Sequence, residues 1–386
     1  MSAKRALREF RAPDEIEAQD RAWTVVRHAL PATVHKRRWP RWRATLALAV
    51  CLLAALLALS PAGASVRHWI SHALGEPHAA PALFSLPSPG RVLVSGSGGA
   101  WIVSADGSAR RLGSWRQASW SPHGLFAAVA RRDELAAVDP HGTPRWTLSR
   151  PRVRDPSWYP PTGYRVAYLS GAQLRVVAGD GTDDRLLANK VAPVAPAWRP
   201  DHAYQIAYAT RRGSLLVRDS DTHRQIWHAH TIGVKTLGWS PTGDRLLALG
   251  RKHATVYGPH GQILTTITAP AQSPILDASL SPDGTQLALV EGGRSDDVTV
   301  TRLVSHDRAV RPVLSGAGLR QLAWSPDGRW LLVSWPAADQ WVFVRVAGSP
   351  RIVAASHIAR QFTTPGTTQA FPQIDGWCCT AQGLSG

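Results

Sequence analysis

From about residue 90 onward, short apolar runs alternate with turn sequences along the whole chain. Runs such as Phe126–Val129, Glu134–Val138, Leu174–Val177, Leu246–Leu249 and Leu331–Ser334 are too short for helices. They are bounded by Asp-Gly, His-Gly or Ser-Pro pairs, which predicts strands joined by tight turns. Asp106-Gly107, Asp180-Gly181 and His260-Gly261 each stand between two such runs, the signature of a hairpin.

The turns also repeat. An aromatic or apolar residue followed by a proline turn occurs as Trp120-Ser-Pro122-His-Gly124, Trp158-Tyr-Pro-Pro161-Thr-Gly163 and Trp198-Arg-Pro200-Asp201. It returns as Trp239-Ser-Pro241-Thr-Gly243, Leu280-Ser-Pro282-Asp-Gly284 and Trp324-Ser-Pro326-Asp-Gly328. The first residues lie 38, 40, 41, 41 and 44 positions apart, and a period near forty means a stacked or radial repeat. Proline presets φ for the turn, and glycine supplies the positive φ that follows. Each period holds four short strands, counting the one that ends at the aromatic residue, which predicts an all-β chain folded as a β-propeller.

The ends of the repeat give the blade count. Arg91–Val94, Trp101–Val103 and Ala109–Leu112 supply three strands upstream of the first motif, with no strand before them. Downstream of the sixth blade, Phe371–Trp377 is left over. Placing it as the missing strand of the first blade closes the ring, leaves no free sheet edge, and predicts seven blades. Six blades is the alternative, with residues 91–113 as a capping hairpin. The propeller is expected over 90–380, with a tail at 381–386.

The N-terminal part has a different pattern. Residues 14–30 place Ile16, Trp23, Val26 and Leu30 on one face, begin with Asp14, Glu15 and Glu17, and stop at Pro31. This predicts an amphipathic helix within a stub over 1–43, lying at the membrane interface or docking a cytoplasmic protein. Between Arg43 and Arg67 there are 23 uncharged residues, about 35 Å of helix, enough for a transmembrane span over 44–66. Lys36, Arg37, Arg38, Arg41 and Arg43 precede the span and only Arg67 follows closely, so the N-terminus is expected in the cytoplasm and the repeats outside. Ala62-Gly63-Ala64 permits the rival reading, a signal cleaved after Ala64. A Pro-rich linker over 67–89 joins the span to the repeats.

Charge then bears on partners. The chain has 44 Lys and Arg against 27 Asp and Glu, formally +17, and nearly all of the positive charge is arginine. The arginine-, alanine- and proline-rich composition is what GC-rich coding yields and points to a bacterial source. The propeller shares the excess, which favours acidic partners: a protein, an anionic envelope polymer or lipid head groups. Topology argues against nucleic acid.

Candidate chemistry is sparse. Three cysteines make no disulfide framework; Cys51 falls in the span, and Cys378 and Cys379 are expected to pack as structural residues, a redox or intermolecular thiol role being the alternative. His228 and His230 share one strand face and are the only pair worth testing as metal ligands. Asp183-Asp184 and Asp296-Asp297 fall in expected turns and read as solvated, Ca²⁺ binding in a propeller loop being the alternative. Ser95–Gly99 reads as a turn and not a nucleophile elbow, and no phosphate loop is present. Catalytic, cofactor and metal residues are therefore expected to be absent. Trp335 and Trp341 flank the turn Pro336–Gln340 and are expected to be exposed as ligand contacts.

The Trp-Ser-Pro-Asp-Gly unit followed by an apolar strand, best matched at 324–328 and 239–243, resembles the WD-repeat-like units of the TolB-like family of bacterial envelope proteins. Leu280 replaces the tryptophan in one copy, and the copy at 198–201 lacks the glycine. The resemblance covers about residues 90–380. It implies a propeller facing the periplasm or cell exterior in a protein-binding role, and carries no catalytic residue across. Leu135–Trp146 and Leu215–Trp227 also look like the strand–turn–strand of quinoprotein propellers, and read as blade hairpins. The expected function is a membrane-anchored binding scaffold, with a quinoprotein-like or hydrolase-like propeller enzyme as the alternative.

Overall fold

The recurring apolar runs form seven four-stranded antiparallel sheets. The structure, a computed structural model, describes residues 85–379 apart from 161, 232 and 304–309. The expected helix over 14–30, the span over 44–66, residues 67–84 of the linker, Pro161 and the tail lie outside the described residues. No helix among the described residues is long and apolar enough to cross a membrane.

Blade 1 comprises β1 (Arg91–Gly96), β2 (Gly99–Val103) and β3 (Ala109–Gly113), completed by the last strand of the chain. Blade 2 holds β4 (Gln117–Trp120), β5 (Ala127–Arg131), β6 (Glu134–Val138) and β7 (Pro144–Ser149). Blade 3 holds β8 (Val153–Trp158), β9 (Arg165–Ser170), β10 (Gln173–Ala178) and β11 (Arg185–Asn189). Blade 4 holds β12 (Ala197–Trp198), β13 (Gln205–Ala209), β14 (Ser214–Asp219) and β15 (Gln225–His230). Blade 5 holds β16 (Thr236–Trp239), β17 (Leu246–Leu249), β18 (His253–Tyr257) and β19 (Ile263–Thr268). Blade 6 holds β20 (Ile275–Leu280), β21 (Gln286–Glu291), β22 (Asp296–Arg302) and β23 (Val310–Gly316). Blade 7 holds β24 (Leu322–Trp324), β25 (Trp330–Trp335), β26 (Gln340–Arg345) and β27 (Ile352–Ser356), followed by the short helix α1 (Ile358–Gln361) and β28 (Gln373–Cys378).

The first strands of successive blades touch one another around the ring, so they are the inner strands. Seven hydrophobic clusters fill the seven blade-to-blade interfaces, each built from the facing sides of two neighbouring sheets. This is why the middle strands read as near-continuous apolar runs: both of their faces are covered, as in β17, where all four residues are buried.

β28 pairs antiparallel with β1, matching Val92 to Trp377 and Leu93 to Gly376, with a bulge at Asp375. It takes the inner position of blade 1, and the seven-bladed closure expected from Phe371–Trp377 is what the structure contains. Gly90 leads into β1 at φ +116°, and a Cβ there would meet the Cys378 carbonyl at 2.9 Å. Cys378 and Cys379 are joined as a disulfide between adjacent residues rather than packing as two thiols, and the Cys379 sulfur lies over Gly124 of blade 2.

The serine after the motif aromatic is the hub of the turn. Ser121, Ser240, Ser281 and Ser325 are buried, and each Oγ accepts the backbone N–H five residues on, at 2.9–3.1 Å. Each serine carbonyl also accepts the N–H of the motif glycine. In blade 4 the glycine is missing and Arg199 stands in the serine position; its Nε donates to the Gly243 carbonyl at 2.7 Å, and its guanidinium lies over Trp239. The two quinoprotein-like segments dock blades together: Trp146 Nε1 donates to Gly179 O at 2.8 Å and Trp227 Nε1 to Pro259 O at 3.0 Å.

Candidate functional site at the basic mouth of the propeller axis

Counting back from the motif aromatic, the inner strands carry a second repeat. Three residues upstream stand Gln117, Asp155, Thr236, Asp277 and Gln321, and four upstream stand Arg116, Arg154, Lys235 and Arg320. The first set ties inner strands to one another. Gln117 Nε2 donates to Asp155 Oδ1 and its Oε1 accepts the Asp155 N–H, both at 2.8 Å. Asp277 accepts the Leu322 N–H at 2.9 Å across to blade 7, and Gln321 Oε1 accepts the Ile374 N–H at 3.1 Å across to blade 1. A polar belt thus links blades 2 to 3, 6 to 7 and 7 to 1.

Burial dominates the titration of the carboxylates in and beside this belt. It raises Asp155 against the opposing effects of Gln117 and Arg154. It pushes Asp277 up to about 6, more than the two backbone N–H groups it accepts can offset. Asp375, in the bulge of β28, is raised well above the ordinary carboxylate range by burial, which the nearby Ser95 hydroxyl only partly counters. For Asp277 the folded state holds a proton that the unfolded state has released between about pH 4 and pH 6, so stability falls as pH rises through that window and is flat above it. Asp277→Asn is expected to flatten this slope. Urea unfolding at pH 4.5 and pH 7.5 checks it: the wild-type difference between the two should exceed the variant's by about 1–3 kcal/mol. Equal slopes would refute the assignment.

The turns sort by face. The motif turns and the third-to-fourth strand turns lie on one face, and the chain joins blade 1 there, where the Leu86 N–H bonds Ala105 O. The second-to-third strand turns and the blade-to-blade connections lie on the other, and there the arginines gather. Arg116, Arg131, Arg132, Arg152, Arg154 and Arg211 line one cleft of about 550 Å³ with Gln117, Val153, Gly171 and Gln373.

Three of these arginines are engaged. Arg131 pairs with Glu134 and stacks over Trp115, Arg132 lies 3.8 Å from Asp133, and Arg154 donates to the Gly171 carbonyl at 3.2 Å and lies 3.9 Å from Asp155. Arg116, Arg152 and Arg211 are exposed and have no carboxylate partner among the described residues. Arg152 and Asp155 hold φ at +53° and +54°, and the register of β8 slips between Arg154 and Ser157. A left-handed non-glycine residue costs on the order of 1–3 kcal/mol and persists only where its surroundings hold it. The Arg152 N–H is held by Asp133 Oδ1 at 3.1 Å, and its carbonyl accepts the Gly171 N–H at 3.1 Å. The strained segment is the one that brings Arg152 and Arg154 to the cleft.

A second cleft of about 520 Å³ opens on the motif face between blades 2 and 3, lined by Pro122, Leu125, Phe126, Trp158 and Tyr164 among others. Its walls are largely apolar and gather no convergent charge.

The residues singled out from sequence fall elsewhere. Trp120, Trp158, Trp198, Trp239 and Trp324 end inner strands, and Leu280 does the same in blade 6. Trp198 and Trp324 donate to Ser157 O and Ser279 O of the preceding blade. The expectation that Trp341 is exposed is corrected: it is fully buried, with its ring 5.2 Å from that of Phe362. Trp335 is half-buried and donates to Ala317 O at 2.8 Å. The register explains the difference, since Ser334 pairs with Trp341 and Trp335 with Gln340, which sends the two indoles to opposite sides of blade 7. Asp184 and Asp296 are likewise not solvated. Asp184 is ion-paired to Arg150 and Arg175, and Asp296 accepts the Gly293 and Gly318 N–H groups, while Asp183 and Asp297 are exposed. His228 and His230 are exposed on β15, and no metal-holding cluster of three or more acidic, His or Cys residues occurs among the described residues.

No protein-family model matches the chain. No curated protein matches it in sequence. Among solved structures it is similar to a putative 6-phosphogluconolactonase from Bacteroides uniformis, with 16% identity over 70% of this chain and 97% of that one, at a TM-score of 0.52. It is also similar to KlHsv2 carrying a Gly-Ser linker in place of loop 6CD, with 13% identity over 68% of this chain and 92% of that one, again at 0.52. These likenesses are of fold.

Proposed function

We propose that this chain is a single-pass scaffold of the bacterial inner membrane, with its N-terminus in the cytoplasm and its propeller outside, and that it binds an acidic protein or anionic envelope polymer. The role is binding and not catalysis, and the helix over 14–30 is the element through which a bound state would be relayed to a cytoplasmic protein. The charge asymmetry around residues 44–66 supports the topology, and the resemblance to TolB-like propellers supports the role. The observation that carries the reading is the cleft where six arginines meet beside the propeller axis, three of them without a carboxylate partner among the described residues. Unpaired guanidiniums repel one another and gain from an anion that bridges them.

Membranes holding the full chain test this in two steps. Protease added to the outer side is expected to digest the propeller, and protease added to the inner side only the stub. The membranes are then expected to retain an anionic polymer such as polyphosphate, with affinity falling roughly tenfold between 50 and 300 mM salt. A neutral dextran held equally well, or retention indifferent to salt, would sink the binding proposal; a propeller cut only from the inner side would sink the topology.

A further inference from the structure

The arginine cleft has a composition specific enough to name a ligand chemistry. Its cations come from three consecutive blades: Arg116 from the connection into blade 2, Arg152 from the connection into blade 3, and Arg211 from a turn of blade 4. Their positions are set by backbone. The Arg116 N–H bonds Ala130 O at 2.9 Å, the Arg211 N–H bonds Lys190 O at 3.1 Å, and Arg152 is fixed on both sides of its peptide as described above. The Arg152 guanidinium lies over Gly171, where a Cβ would meet Nη2 at 2.9 Å, so the glycine makes the room that this side chain occupies.

The negative groups nearby are already committed. Glu134 is taken by Arg131, Asp133 lies beside Arg132, and Asp155 is bonded by Gln117 with Arg154 close by. Three guanidiniums are left facing one opening. A carboxylate brings one charge and two coplanar oxygens, and satisfies one guanidinium fork. Phosphoryl groups bring tetrahedral oxygens that accept from several forks at once, and consecutive phosphates bring further charges within a few ångströms of each other. A volume of about 550 Å³ admits two or three linked phosphates and is oversized for a single one.

We infer that this cleft is a site for consecutive phosphoryl groups, held by Arg116, Arg152 and Arg211. The inference rests on the scaffold reading and gives it a ligand class. The source is either a soluble oligophosphate or a phosphodiester polymer of the envelope, since both present the same groups.

The test uses the full chain in nanodiscs of neutral lipid and titrates inorganic tripolyphosphate, poly(glycerol phosphate) and polyglutamate. Wild type is expected to bind the two phosphate probes, the tighter of which identifies the source, and to bind polyglutamate at least tenfold more weakly. Arg116→Gln, Arg152→Gly and Arg211→Gln are each expected to weaken tripolyphosphate about tenfold, the glycine because it tolerates the positive φ at 152. Arg116→Lys and Arg211→Lys keep the charge without the fork and are expected to fall between glutamine and wild type. Arg224→Gln with Arg351→Gln, on the motif face, is expected to leave binding unchanged. Phosphate binding that survives the three cleft substitutions overturns the site while leaving the scaffold reading standing. Polyglutamate bound as tightly as phosphate overturns the ligand class. If no anion binds, both fall.

Discussion

A chain that stops after Ala370 is expected not to assemble the propeller. It loses β28, the inner strand of blade 1, and with it the ladder to β1 and the contacts that β28 makes with β4 and β24 on either side. Trp377 is buried beside Phe343 at a ring distance of 5.6 Å, and Trp377→Ala alone is expected to cost about 3–5 kcal/mol. Total stability is on the order of 5–15 kcal/mol, so losing the whole strand and its ring contacts removes most of the margin. The truncation also bares the long edge of β1, whose unpaired groups then recruit other chains. Size exclusion and near-UV circular dichroism check this, with aggregates and no tertiary signal as the expected result. The rescue is more discriminating. The end of β28 lies against Gly90, so a permuted chain with residues 371–379 placed ahead of Ser85 makes blade 1 contiguous. It is expected to fold. A truncated chain that stays monomeric with a native near-UV spectrum would show that closure is dispensable.

That closure was legible in the sequence because it rests on counting. A strand ending in tryptophan was left over at one end and missing at the other, and the period near forty allowed no other place for it. The blade interior was legible for a related reason: middle strands covered on both faces show as apolar runs. Trp341 departs from the expected exposure because nearness to a turn does not by itself place a side chain in solvent. Exposure depends on which side of the sheet a residue faces, and Trp335 and Trp341 face opposite sides through a register that the turn length alone does not reveal. The carboxylate pairs went the same way, one member of each turning inward while its neighbour stays in water.

The polar belt and the basic mouth also leave a signal in the sequence, one subtler than the motif turns. Arg116-Gln117, Arg154-Asp155, Lys235-Thr236 and Arg320-Gln321 all stand at the same distance ahead of the motif aromatic. A polar pair that recurs in phase with a structural repeat points to one place in each blade that carries it, and here that place is the entry to the inner strand. The cleft itself was less accessible, because Arg132 and Arg211 belong to turns of different blades and meet Arg116 and Arg152 only once the ring is drawn.

Asp184→Ala is expected to be the most damaging single change of a charged residue, because one carboxylate there serves three buried or half-buried donors. Arg150, from the connection between blades 2 and 3, reaches Asp184 Oδ2 at 2.6 Å; Arg175 reaches it at 2.8 Å; the Tyr168 hydroxyl donates to Oδ1 at 2.6 Å. Tyr168 is fully buried and the Arg175 side chain is 17% exposed, so neither regains water when its partner is lost. Breaking a buried pair from one side costs about 3–5 kcal/mol, which lowers Tm by roughly 10 °C. Burial raises the Asp184 carboxyl, but the bonds from Arg175, Tyr168 and Arg150 outweigh it and hold the group below its ordinary range. A lowered folded pKa contributes stability above the unfolded value near 4 and loses it as pH falls through the lower folded value. The gap between wild type and Asp184→Ala should therefore be full at pH 7 and close in acid below about pH 4. Asp183→Asn, one residue away, exposed, and at a φ of +52° that asparagine also tolerates, should stay within about 0.5 kcal/mol of wild type, and Tyr168→Phe should cost about 1–2 kcal/mol because both arginines keep their partner. Equal losses at 183 and 184 would mean that the turn, and not the inter-blade carboxylate, carries the effect.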